Sequence, residues 1–194
     1  MPEPLELFFT ELEYLLKQYH NSSKISVGNR QCLSKDGSRL KSLTLGVRGA
    51  PGLASKRKDK TLSPHLTKHT QTETGHEIYK LVYTIIGLAH PSFEFNSIIV
   101  NFNSNFVKHK DKKNVNINSV IFSVGTHTGG GLEIYNDDDE LIKILNIKRK
   151  PTLFAGKTTT HATEPFEGQR WCIVAYQTKP KCHYCPFEKQ LHAL

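Results

Sequence analysis

The chain has no run of roughly 18 consecutive apolar residues, the length that a membrane-spanning helix needs, so a helical membrane span is not expected. Methionine and tryptophan occur once each, and cysteine only four times, in 194 residues. Those cysteines are Cys32, Cys172, Cys182 and Cys185. A chain of this length buries enough surface to fold without cross-links, and it suits one domain better than two. The opening Met1-Pro2-Glu3-Pro4 has neither the basic start nor the apolar stretch of a secretory signal. Reduced thiols in an intracellular compartment are therefore expected, nuclear in a eukaryote and cytoplasmic otherwise. A monomer is the expected state.

Acidic residues are also scarce, with 18 Asp and Glu against 26 Lys and Arg, a formal charge of +8. Glu3, Glu6, Glu11 and Glu13 against Lys17 make the first twenty residues −3, so the remainder carries +11. A field of that sign suits a polyanion such as nucleic acid, and it equally suits a soluble surface that happens to be basic.

Residues 4–20 carry Leu5, Phe8, Phe9, Leu12, Leu15 and Leu16 at helical spacing and predict an amphipathic packing helix. A strand is expected at 42–47. Residues 49–74 read as a long basic loop around Ser55-Lys56-Arg57-Lys58-Asp59-Lys60, and a second helix is expected over 76–89. From Phe93 the pattern turns to short strands at 97–102, 119–124, 132–135, 141–146, 151–155 and 171–177. Asn136-Asp137-Asp138-Asp139-Glu140 marks a hairpin turn. This is an α+β pattern whose β part closes into a sandwich or barrel. The expected division is a helical and loop support region over 1–92, a β core over 93–178 and a cysteine-containing tail over 179–194.

His109-Lys110-Asp111 sets two metal-ligand types at i and i+2, which share a face in an extended segment. With His161 as a third ligand, two imidazoles and one carboxylate would leave three positions open on an octahedral iron, as a non-haem Fe(II) oxygenase requires. By itself a His-x-Asp pair more often marks a solvated turn, here within the charged stretch 108–113. Arg170 opens the apolar strand Trp171–Tyr176, and its planar fork suits a carboxylate partner. A surface ion pair is the plainer reading of an isolated arginine. Gly125-Thr126-His127-Thr128-Gly129-Gly130-Gly131-Leu132 reads as a tight turn whose glycines also permit close backbone approach. His127 there either lines a pocket or lies on the surface.

Taken in order, these motifs resemble the TET/JBP family. The resemblance rests on Phe95 to Asn101, on His109 to Asn114, on the glycine-rich turn ending in Leu132, and on His161-Ala162-Thr163 followed by Gly168-Gln169-Arg170. Ser42 to Gly46 is similar to a segment upstream of these motifs in the family. The resemblance covers about residues 42–177. It implies a double-stranded β-helix (a jelly-roll, cupin-like core) flanked by N-terminal helices. It also implies oxidation by O₂ of the 5-methyl group of a pyrimidine, 5-methylcytosine or thymine, in nucleic acid, with DNA favoured over RNA. His109, Asp111 and His161 would hold Fe(II), and Arg170 would hold 2-oxoglutarate. Asn101 falls at a motif position near the co-substrate and Asn114 at one near the substrate. Arg48, Lys56, Arg57 and Lys58, with Lys108, Lys110, Lys112 and Lys113, would grip flanking phosphates.

Three other readings compete. The same oxygenase chemistry suits a protein side chain, RNA or a small molecule. A zinc nucleobase deaminase would use His161 with Cys182 and Cys185, but it needs His-x-Glu. Glu164 instead stands three residues after His161, and Lys181 interrupts the Pro-Cys step. A non-enzymatic metal or nucleic-acid binding module would draw on Cys182, His183, Cys185 and His192.

Overall fold

The computed structural model of the chain describes residues 3–22, 34–35, 37, 40–47, 66–112 and 114–178. Arg48 and the part of the basic loop that carries Lys56, Arg57 and Lys58 lie outside these residues. So do Lys113 and the tail that carries Cys182 and Cys185.

The first element is the helix α1 (Glu3–Ser22). Leu5, Phe9, Leu12, Leu16 and Tyr19 recur every three or four residues and are all buried, while Leu7 and Tyr14 face solvent. The second helix, α2 (Glu73–Ala89), starts three residues before the apolar spacing predicts. Its start is set by a cap: the Thr72 hydroxyl accepts a hydrogen bond from the Gly75 N–H at 3.2 Å. Ile78, Tyr79, Val82, Ile85 and Ile86 form its buried face.

A five-stranded antiparallel sheet is built from β1 (Lys41–Gly46), β2 (Ser97–Phe102), β3 (Ser119–Val124), β7 (Thr152–Phe154) and β10 (Trp171–Tyr176). Its spatial order is β1-β2-β10-β3-β7. Facing it are a three-stranded sheet, with β5 (Leu132–Tyr135) between β6 (Leu141–Leu145) and β8 (Thr160–Thr163), and a small pair of β4 (Thr128–Gly129) and β9 (Phe166–Glu167).

The period of two along each strand divides the interior. On β10, Ile173 lies between Val100 and Phe122, and these residues join Leu43, Leu45, Trp171 and Ala175 in one core with both helices. The alternate residues point the other way. Ile121 and Cys172 meet Leu132, Ile134, Ile147 and Phe154 in a second, smaller core between the sheets. The helices thus back the large sheet and leave its opposite face for the site.

Three strands have no counterpart in the sequence reading. β4 and β9 are two residues each, and β8 reads Thr-His-Ala-Thr, which has no apolar alternation. Their pairing with partner strands, rather than local propensity, makes them extended.

Phe9 is fully buried, and its ring centroid lies 5.7 Å from that of Phe122. Phe9→Ala is expected to cost about 3–5 kcal/mol of unfolding free energy, read from urea titration. A loss under about 1 kcal/mol would show that α1 is not integral to the core.

Candidate functional site

His161 sits on β8, where it pairs with Ile134, so its side chain faces the space between the sheets. His109 reaches it through an isolated antiparallel bridge. His109 N–H donates to the His161 carbonyl at 2.9 Å, and His161 N–H returns the bond at 3.0 Å. The two rings lie 4.3 Å apart. Asp111 is held by its own N–H donating to the Gly156 carbonyl at 2.9 Å. Gly156 is needed in that loop: a Cβ there would fall 2.9 Å from the Phe154 ring and 3.3 Å from an Asp111 carboxylate oxygen.

The sequence-predicted triad therefore converges. Asp111 Oδ1 is 3.8 Å from His109 Nε2, and Asp111 Oδ2 is 3.9 Å from His161 Nε2. One ligand atom from each residue lies within 4.8 Å of the others. Donors so spaced suit a single divalent cation with bonds of about 2 Å.

Backbone carbonyls fix which nitrogens are available. His109 Nδ1 lies 2.8 Å from the Val107 carbonyl and His161 Nδ1 lies 2.9 Å from the Thr159 carbonyl. A carbonyl only accepts, so Nδ1 carries the proton in both rings and each Nε2 presents a lone pair to Asp111. Burial, and then the neighbouring His109, hold the His161 imidazole below its usual range, which keeps it neutral and ready to ligate. The donor set of imidazole and carboxylate, without thiolate, suits Fe(II).

Arg170 immediately precedes β10, two residues before Cys172, and it is only 2 % exposed. Asn103 fixes its backbone from both sides. Asn103 N–H donates to the Arg170 carbonyl at 2.9 Å, and Asn103 Oδ1 accepts from Arg170 N–H at 2.8 Å. Asn103 does this at φ 43, a left-handed conformation that asparagine tolerates better than most residues. The guanidinium donates from Nε to the Gly130 carbonyl at 3.0 Å and lies 5.2 Å from the Phe166 ring. A Cβ at Gly130 would stand 2.7 Å from that Nε, so only glycine fits. No carboxylate pairs with Arg170 among the described residues, and its Nη1 is buried without a hydrogen-bond partner. A buried cation with a free donor calls for an anion.

The two halves of the site share one interior. Cys172, beside Arg170, belongs to the cluster that contains Phe154, and Phe154 meets the His161 ring edge-on at 5.1 Å.

The other expected residues divide. Asn101 is buried and pairs in register with Cys172, on the same interior face. Asn114 closes the turn after Asp111 through its N–H to the Asp111 carbonyl at 3.0 Å, and it ties that turn to β3 through Ser119 Oγ at 3.2 Å. His127 is not on the surface but fully buried. Lys108 and Lys110 already have acidic partners in the β5–β6 hairpin, Asp139 at 2.9 Å and Asp137 at 3.7 Å. Glu164, the acid nearest to the deaminase pattern, accepts a hydrogen bond from Gly131 N–H at 2.9 Å. Sequence reasoning missed Asn103, Phe154 and Phe166. Of these only Asn103 had a readable signal, an asparagine just past the end of a strand.

No protein-family profile matches the chain, and no curated protein matches it. Solved structures do. NgTET1 in complex with 5mC DNA has a TM-score of 0.57 and 15% identity over 100% of this chain and 76% of that one. A prolyl-4-hydroxylase from Pseudomonas putida has a TM-score of 0.52 and 11% identity over 92% and 89%. OsALKBH1 has a TM-score of 0.52 and 15% identity over 88% and 91%. The chain therefore has the expected α+β jelly-roll fold, the double-stranded β-helix with flanking helices.

Burial is the leading cause that lowers the pKa of four imidazoles, His20, His69, His127 and His161. Unfolded histidines titrate near pH 6.5, so below that pH the unfolded chain binds more protons than the folded one, and stability is lost as pH falls. The urea midpoint of the metal-free protein is expected to decline steadily from pH 7 to 5.5, and less steeply in His127→Gln. A midpoint that rises over that range would contradict neutral burial.

Proposed function

We propose that this chain is an Fe(II)- and 2-oxoglutarate-dependent oxygenase that hydroxylates the 5-methyl group of a pyrimidine in nucleic acid, DNA before RNA. The observation that carries the oxygenase reading is the Arg170 guanidinium, buried and unpaired at Nη1, in the same interior as a His-Asp-His triad. A metal site needs no such cation; a co-substrate with a second carboxylate does.

His109, Asp111 and His161 would hold the iron, and Arg170 would hold the carboxylate of 2-oxoglutarate farthest from the metal. Fe(II) with 2-oxoglutarate supplies the coupling between keto-acid decarboxylation by O₂ and insertion of one oxygen atom into a substrate C–H bond. The chain's own residues do the positioning. The carbonyls of Val107 and Thr159 hold the imidazoles in the ligating tautomer. Asn103 and Gly130 aim the guanidinium, and Phe154 and Phe166 wall the site with apolar surface. Support for a nucleic-acid substrate comes from the net charge of +8 and from the likeness in fold to a protein solved with 5mC DNA. A base inside a duplex would have to leave its stack to bring its methyl group to the metal.

The decisive experiment is anaerobic loading with Fe(II) and 2-oxoglutarate, then O₂ with oligonucleotides that contain thymine or 5-methylcytosine. Mass spectrometry of the digested bases is expected to show a gain of one oxygen on one of them, with succinate formed in step. Succinate formation that no nucleic acid stimulates would redirect the substrate to a protein or small molecule. Asp111→Ala is expected to abolish metal binding. Arg170→Ala is expected to weaken 2-oxoglutarate binding by roughly 30-fold or more while the metal still binds.

The basic loop makes a separate prediction. Neutralising Lys56, Arg57 and Lys58 together is expected to weaken DNA binding and to reduce the slope of log affinity against log salt by up to about 2–3. An unchanged slope rejects that loop as the phosphate grip.

A further inference from the structure

The imidazole of His127 is 0 % exposed, and its Nε2 is buried without a hydrogen-bond partner. Its Nδ1 lies 2.9 Å from the Gly129 carbonyl, which fixes the proton on Nδ1 and leaves Nε2 as a lone pair in the neutral ring. An unmade hydrogen bond in such a place costs about 1–3 kcal/mol, and native folds rarely leave one without a use.

A second orphan belongs to the same corner. Arg170 Nε donates to the carbonyl of Gly130, the residue next to Gly129, and its Nη1 is also buried and unpaired. Gly129 and Gly130 are consecutive left-handed residues, at φ 69 and φ 75, and this one turn anchors the inner nitrogen of each side chain. Phe166 flanks both, with its ring 5.2 Å from the guanidinium and 6.3 Å edge-on from the imidazole. The turn thus holds each group by one nitrogen, while His127 Nε2 and Arg170 Nη1 are left without partners and the Cys172 thiol also bonds the guanidinium.

The charges around His127 favour an anion. Arg170 at the start of β10 and Lys148 after β6 both act on it, and the Lys148 ammonium donates to the His127 carbonyl at 2.6 Å. The one carboxylate that acts on it from α1 is Glu13, which is already bonded to Lys17 at 2.8 Å and to Arg149 at 3.4 Å. A neutral Nε2 would repel a carboxylate oxygen; a protonated one would donate to it.

We propose that His127 and Arg170 form a two-point clamp for the far carboxylate of the co-substrate, and that His127 takes up one proton from solvent at Nε2 as the dianion binds. This rests on the oxygenase reading above and adds to it a binding residue and a proton linkage. The carboxylate then receives two charge-assisted hydrogen bonds, from Arg170 Nη1 and from His127 Nε2–H, and both orphans are satisfied. Burial and the two cations keep the free imidazole neutral near pH 7. The arriving anion reverses that balance, so affinity for 2-oxoglutarate should rise as pH falls from 8 towards 6.5.

The test is calorimetry of 2-oxoglutarate binding to the anaerobic Mn(II)-loaded chain, at equal pH in two buffers of different ionisation enthalpy. Wild type is expected to take up close to one proton per 2-oxoglutarate bound. His127→Gln is expected to take up none and to bind roughly tenfold or more weakly, with Mn(II) affinity unchanged. Binding by wild type without proton uptake overturns the clamp and leaves the oxygenase reading intact; that outcome needs no variant. Equal affinity and equal uptake in His127→Gln would also overturn it. If wild type with metal binds no 2-oxoglutarate at all, both readings fall.

Discussion

A pair of backbone hydrogen bonds between His109 and His161 joins two segments that are 52 positions apart in sequence. Neither residue could ligate alone, because one lies in a loop and the other on a short polar strand. Their bridge sets the rings 4.3 Å apart and brings Asp111, two residues on, within reach of both. The rest of the β structure serves that contact. β8 is extended because β5 pairs with it, and β5 faces the large sheet through Leu132 and Ile134. The helices pack on the far face of the large sheet, in the core that holds Ile173, Val100 and Phe122. Stability and chemistry are thus placed on opposite faces of one set of strands.

Much of this was legible in the residues. The apolar spacing of Phe9, Leu12 and Leu16 gave α1, and the strands Ser97–Phe102 and Ser119–Val124 have the predicted ends, because each centres on a short β-branched and aromatic stretch bounded by polar residues. The triad and Arg170 were legible only jointly, through the order of their motifs. What was not legible depends on contacts between distant segments. The strand of His161 has no alternation to read. The burial of His127 follows from the packing of Phe166 and Lys148 around a turn that looks solvated as a string. The hold of Asn103 on Arg170 spans 67 positions.

Charge is where sequence and structure divide most clearly. Lys108 and Lys110 flank His109 and read as a basic patch, yet each has a carboxylate of the β5–β6 hairpin beside it, and Lys108 also stacks on Tyr135 at 3.9 Å. Both pairs are largely solvent-exposed and individually weak. Together they dock the acidic hairpin against the loop that carries His109 and Asp111, so part of the basic charge counted in the sequence is spent within the fold.

Asn103 grips both backbone groups of Arg170, while Gly130 and Phe166 confine its side chain. A free arginine has about 2 kcal/mol of rotamer entropy to lose when it is immobilised. Here that disorder is surrendered when the chain folds, well before any anion arrives. Any anion that reached it would meet a fork already frozen in one orientation, so shape would count as much as charge. An anion that fitted poorly would find no flexible arm to follow it.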